Sequence, residues 1–294
     1  MTAAPAQPAE PVRPAPGPFK AVGWTVVFLI AGFVLTIALA TGAFALTGGL
    51  VQGEASPRSL VIQTAAGLVA FGLATWAIGI RVLGLTWRDL RWQPLSGAGR
   101  GFTLGLVLGA LPAALALALS VVVGDARFLR DTGEPLTYLG EVGRTSLILA
   151  PAALLEELIF RGVGQVVLAR AFGRVPAILV LSVVFALAHI FNPNTTTLGL
   201  VNIALAGLFL GIAFYAPGGI WTAWGAHLGW NATLAALDAP VSGLPFRIPW
   251  IDYQPGGPAW LTGGSFGPEG GLLATAAIAL GTAAAWHWSR KETA

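Results

Sequence analysis

An all-α, polytopic membrane bundle of about eight transmembrane helices is what this sequence predicts, and three observations carry the expectation. Of its 294 residues, 55% are hydrophobic and 10% are charged, where an average soluble domain is roughly 25% charged. Mean hydropathy is +0.76. The apolar residues gather into eight runs, most of them near the ~20 residues that a helix needs to cross a bilayer. This composition excludes an ordinary soluble globular domain. There are no cysteines, which excludes a disulfide framework, thiolate chemistry and Cys-ligated zinc. The small excess of 16 Lys+Arg over 13 Asp+Glu fits the basic connections of a membrane protein, not a nucleic-acid-binding surface.

Taken in order, residues 1–20 are rich in Pro and Ala, lack apolar periodicity and read as a disordered tail. The first span runs from about Ala21 to Leu46. Ala43-Phe44-Ala45 resembles a signal-peptidase site, but the run is far longer than a signal h-region and favours a retained helix. The second span is about Ser59–Ile80 and the third Gly101–Val123, with Pro112 inside it; neighbouring helices can satisfy the carbonyl that a proline frees. The fourth is Ser146–Ala169, the fifth Pro176–Phe191, the sixth Leu198–Tyr215, the seventh Ile220–Leu237 and the last Gly271–Trp288. Residues 21–288 thus form a single membrane domain, followed by a short tail over 289–294. The second and fourth connections and both tails carry excess Arg and Lys, whereas the odd-numbered connections are neutral or acidic. By the positive-inside rule both termini are cytoplasmic in a multi-pass protein of the cell membrane. Arg88-Asp89-Leu90-Arg91-Trp92 reads as an interfacial segment anchored by Trp87 and Trp92. The Gly/Pro-rich connection 238–270 is long enough for a lid, yet nothing in it declares chemistry.

The fourth span contains Glu156-Glu157-Leu158-Ile159-Phe160-Arg161. A charged side chain near the bilayer centre costs roughly 2.5–3.5 kcal/mol on insertion scales, so these residues need a role. Glu157 and Arg161 are four apart and can pair along one helix face. Glu156 is rotated about 100° away and faces something else. Candidate partners lie on other spans: His189 in Phe185-Ala-Leu-Ala-His189, and His227 with Asn231, again four apart, in the seventh. The non-catalytic alternative is a buried ion-pair cluster that fixes helix packing, which accounts poorly for a second carboxylate. Asn202 reads as a helix–helix hydrogen bond, and His287, one turn from Arg290, as interfacial. A desolvated carboxylate suits a general base acting on water, and a His/Asn pair suits an oxyanion. Two His and one carboxylate could equally hold Zn²⁺, and there is no H-E-x-x-H motif to decide between them.

Glu-Glu-x-x-x-Arg (156–161), Phe-x-x-x-His (185–189) and His-x-x-x-Asn (227–231), in this order on successive helices, resemble the CPBP intramembrane proteases (CAAX prenyl protease and bacteriocin-processing, or Abi, family). The core of the likeness spans about 140–240. More loosely, Leu85–Asp89 and Leu261–Glu269 also look like bacterial members. The resemblance implies eight helices around a membrane-embedded catalytic cavity and an endopeptidase without a covalent intermediate. It implies that Glu156 activates water with His189 assisting, that His227 and Asn231 hold the oxyanion, and that Glu157, Arg161 and Phe185 support the site. No cofactor is required in the glutamate-dependent mechanism; if zinc binds, Glu156, His189 and His227 are its ligands. The implied partners are the lipid bilayer and a peptide or protein substrate, prenylated in eukaryotic and archaeal relatives, and not nucleic acid. Two other readings stay open: a non-catalytic immunity or partner protein on this scaffold, and a proton-coupled transporter built on the Glu/His cluster. The His/Asn pair argues against the first, and the lack of a two-half repeat against the second. Straight helices would place His189 near the outer end of its span and His227 nearer the inner face, so the site requires short or broken helices.

Overall fold

The structure, a computed structural model, describes residues 16–47 and 57–290. Among them every one of the eight apolar runs is helical, and the architecture is an all-α bundle. Its helices are α1 (Pro18–Leu46), α2 (Pro57–Ala74, continued by a π-helical stretch Thr75–Val82), α3 (Leu95–Val122), α4 (Pro135–Arg161), α5 (Val163–Phe172), α6 (Arg174–Ala188), α7 (Thr197–Ala213), α8 (Ile220–Ala236), the single turn α9 (Ala259–Thr262) and α10 (Leu272–Ser289). α1, α2 with its π-helical continuation, and α3 are each long and apolar enough to cross a membrane as they stand; α6 and α7 are apolar but shorter. The outer face of α1 exposes Ile30, Val34 and Ile37, as expected of a helix solvated by hydrocarbon. A small ribbon, β1 (Arg127–Arg130) antiparallel to β2 (Ile251–Gln254), ties the third connection to the long seventh one.

The expected disordered tail falls mostly on residues 1–15, outside the described residues, as do residues 291–294 of the second tail. α1 nevertheless starts at Pro18, earlier than expected, because proline is favourable in a first helical turn, where its missing N–H has no partner to lose. The fourth span also differs from expectation. It begins at Pro135 and is two helices, α4 and α5, parted at Gly162. A Cβ on Gly162 would lie 2.4 Å from the Leu158 carbonyl oxygen, so the break is sterically reserved for glycine.

The bundle closes on an unusually tight seam between α3 and α8. Cβ atoms built on Gly105 and Gly109 would sit 2.2 and 1.8 Å from the carbonyl oxygens of Thr222 and Ala226. Those built on Gly225 and Gly229 would meet the carbonyl oxygens of Phe102 and Leu106 at 2.2 and 2.1 Å. Small residues four apart on both helices allow this approach, the usual route to close packing where no hydrophobic force drives helices together. The seam also orients α8. His227 and Asn231 lie two residues beyond Gly225 and Gly229, about 200° around the helix, so the glycine face backs onto α3 and the polar face turns inward.

Candidate active site

The charged end of α4 is wholly interior: Glu157 is 0% and Arg161 2% exposed. The expected pair forms, with Arg161 Nη1 donating to Glu157 Oε1 at 3.2 Å. Arg161 Nη2 donates to the carbonyl of Gly207 on α7 at 3.2 Å, and the guanidinium lies 4.6 Å from the ring centroid of Phe185. A buried ion pair is tolerable only when its remaining donors are satisfied in this way. Gln165, on α5, repeats the pattern one turn later by donating to the Gly211 carbonyl at 3.2 Å.

Glu157 does more than balance Arg161. Its Oε1 lies 2.8 Å from His227 Nδ1. A carboxylate held by an arginine accepts and does not donate, so Nδ1 carries the proton and Nε2 is turned outward. His189 is fixed the same way: Nδ1 lies 2.8 Å from the Phe185 carbonyl oxygen, an acceptor only. The Phe185 ring is wedged between the two imidazoles, 4.7 Å from His189 and 6.0 Å from His227 by centroid. Both Nε2 atoms consequently face one atom, Glu156 Oε2, at 3.6 Å for His227 and 3.9 Å for His189. Glu156 is one-third exposed, and its Oε2 has no hydrogen-bond partner among the described residues.

These groups open into a cavity of about 480 Å³ whose walls include Asn231, Leu155, Phe209 and Val241. Asn231 is half-buried and follows His227 by one turn on the cavity face of α8. The four sequence candidates from three separate spans therefore line one cavity. Three features let these residues meet where straight helices would hold them apart. α4 stops at the Gly162 break just beyond Glu156. α6 ends at Ala188 with His189 as its cap. The chain then turns sharply through Asn192–Asn194, where Asn194 takes a φ of 56°.

Zinc ligation by Glu156, His189 and His227 was the open alternative. Among the described residues no group of three or more His, Asp or Glu side chains is arranged to hold a metal ion.

Asn202 forms the expected helix-linking bonds, donating to the carbonyls of Glu269 and Gly271 at 2.7 and 2.9 Å and accepting from Thr275 at 2.7 Å. His287 is exposed in the last turn of α10. The connection 238–270, in which nothing declared chemistry, contributes a buried acid to the cavity wall. Glu269, in a short 3₁₀ turn just before α10, is 5% exposed and lines the cavity. It accepts from Trp230 Nε1 at 3.0 Å and from the backbone N–H and hydroxyl of Ser242. A signal was present: a lone acidic residue immediately before a membrane helix, with no basic neighbour in sequence to pair with it.

Residues 140–233 match the family model of the type II CAAX prenyl endopeptidase Rce1-like proteins. No curated protein and no solved structure matches the chain. The matched segment covers less than half of the chain, but it runs from early α4 to just past Asn231 and so contains all three motifs and the side chains that meet around Glu156. Over that segment the chain is similar to the type II CAAX prenyl endopeptidase Rce1-like proteins, a family of membrane proteases.

Proposed function

We propose that the protein is an intramembrane endopeptidase in which Glu156 activates a water molecule against a peptide carbonyl. The observation that carries this reading is the convergence of two Nε2 atoms on Glu156 Oε2, with both Nδ1 atoms already committed. Glu156 takes a proton from water as the oxygen adds to the carbonyl carbon, and His189 Nε2 holds that water in line. The tetrahedral oxyanion is met by the Asn231 amide and by His227. With Nδ1–H already given to Glu157, His227 donates from Nε2 only as an imidazolium. Glu156 then returns its proton to the departing amine and the C–N bond breaks. Glu157 and Arg161 set the His227 ring, and Phe185 spaces the two imidazoles.

The cavity walls are largely apolar, which supports a hydrophobic or lipid-modified peptide as substrate. The test is proteolysis by purified protein in liposomes, offered prenylated and unmodified peptides. Glu156→Ala should lower turnover by about 10²–10⁴-fold, and Asn231→Ala by about 10²–10³-fold. Activity that survives Glu156→Ala would sink the mechanism.

A further inference from the structure

Two parts of the proposed site reach Glu156 from unconnected stretches of chain: the turn after His189, and α8 with Asn231. One strap residue, Ser242, bridges them. Its carbonyl accepts from Asn192 Nδ2 at 2.8 Å, and Asn192 N–H in turn donates to the His189 carbonyl at 3.0 Å. On its other side Ser242 donates its N–H to Glu269 Oε2 and directs its hydroxyl at the same carboxylate, at 3.2 Å from Oε2. Glu269 Oε1 accepts from the indole of Trp230, the residue beside Asn231, at 3.0 Å. The bracket is held in a fixed shape. Ser242 and Gly243 have φ of 48° and 86°, and a Cβ on Gly243 would meet the Pro193 carbonyl at 2.1 Å. The backbone around Glu269 is pinned separately by Asn202 from α7. A buried carboxylate with three donors from two elements is an expensive way to fasten a loop, and it sits at the junction where an error in geometry would matter most.

From this geometry we infer that Glu269 is a positioning residue: through Ser242 and Asn192 on one side and Trp230 on the other, it sets the His189 turn against the Asn231 face of α8. The inference rests on the proteolytic reading above for its kinetic consequence, but the bracket itself can be measured without activity. Gln at 269 keeps the size and can still accept from one donor, while its amide N–H₂ opposes the other.

Two measurements test this. In the first, cleavage by Glu269→Gln is compared with wild type: kcat should fall about 10- to 100-fold, the scale of a small misplacement of catalytic groups, with KM changed by less than about threefold. Ser242→Ala, which keeps the backbone bond to Glu269, should be the milder variant. In the second, Val241→Cys supplies the single thiol in a chain that has no cysteine, at a cavity-lining position 5% exposed. Its reaction with a small charged methanethiosulfonate should accelerate roughly tenfold or more when Glu269→Gln is added, as expected from losing a charge-assisted hydrogen bond. Should Glu269→Gln fail to fold, Asn192→Ala cuts the same bracket from the far side and must give the same pattern. Unchanged labelling overturns the bracket. Faster labelling with unchanged kcat, or a loss confined to KM, overturns the positioning role. If wild type shows no proteolysis, the enzymatic reading fails, while the labelling result still decides whether the bracket exists.

Discussion

Replacing Arg161 with Met removes a charge but not much volume, and its cost follows from the surroundings. Arg161 and Glu157 are both interior, and the pair shares Oε1 with His227. Without Arg161, Glu157 keeps a fully buried carboxylate whose remaining strong partner is His227. Removing one member of such a pair typically costs about 3–5 kcal/mol. Loss of the cation–π contact with Phe185 at 4.6 Å adds about 0.5–2 kcal/mol. Glu157→Gln alone should destabilise to a similar degree by stranding Arg161. The double variant Arg161→Met/Glu157→Gln removes both charges and should recover most of that loss, since apolar replacement of a buried pair is often close to neutral. The assay is a double-mutant cycle of reversible unfolding in mixed micelles, with proteolysis followed in parallel. The two readouts should separate: stability returns in the double variant, but turnover stays low because His227 has lost its carboxylate. A single-variant loss below about 1 kcal/mol, the range of exposed pairs, would refute the buried geometry. A double variant no more stable than the single ones would refute the coupling.

Gly109→Ala should prevent stable assembly, because the added Cβ falls 1.8 Å from the Ala226 carbonyl; Gly99→Ala, with open space around it, should be neutral or stabilise by up to about 1 kcal/mol, and thermal unfolding compares the two. If Glu156 activates water without a metal, as proposed, dialysis against a strong chelator should leave cleavage unchanged; inhibition reversed by added Zn²⁺ would favour the metal reading instead. Partial burial pushes the Asp89 carboxyl up, but hydrogen bonds from Thr86 and the Arg170 guanidinium outweigh it and hold the group below the usual carboxylate range. A depressed pKa stabilises the fold above the unfolded value and is lost on acidification, so Asp89→Asn should be less stable than wild type at neutral pH and converge with it below about pH 4.

Much of the candidate site was legible because lipid makes ionisable residues conspicuous. Glu156, Glu157, Arg161, His189, His227 and Asn231 stand out against apolar runs, and the spacing of four in Glu157/Arg161 and His227/Asn231 states their shared faces directly. Glu269 was passed over because a lone acid in a loop looks like a solvated one; only the fold shows that Trp230 and Ser242 enclose it. The α3–α8 seam was written as Gly105, Gly109, Gly225 and Gly229, yet glycine is frequent enough here, 39 residues in all, that its pairing across two distant helices was invisible.

Helix periodicity and hydrophobic length are local properties, so the sequence by itself determined the all-α class, the helical character of the eight apolar runs and which side chains could share a helix face. Depth and contact between helices depend on where each helix breaks and how closely its neighbour approaches, and these are set by sterics between residues far apart in the chain. The tertiary structure alone therefore decided that the Gly162 break and the α6 cap at His189 bring two imidazoles to one oxygen of Glu156. It also decided that Glu157 serves His227 as well as Arg161, and that a strap residue far down the chain, Glu269, completes the wall of the cavity.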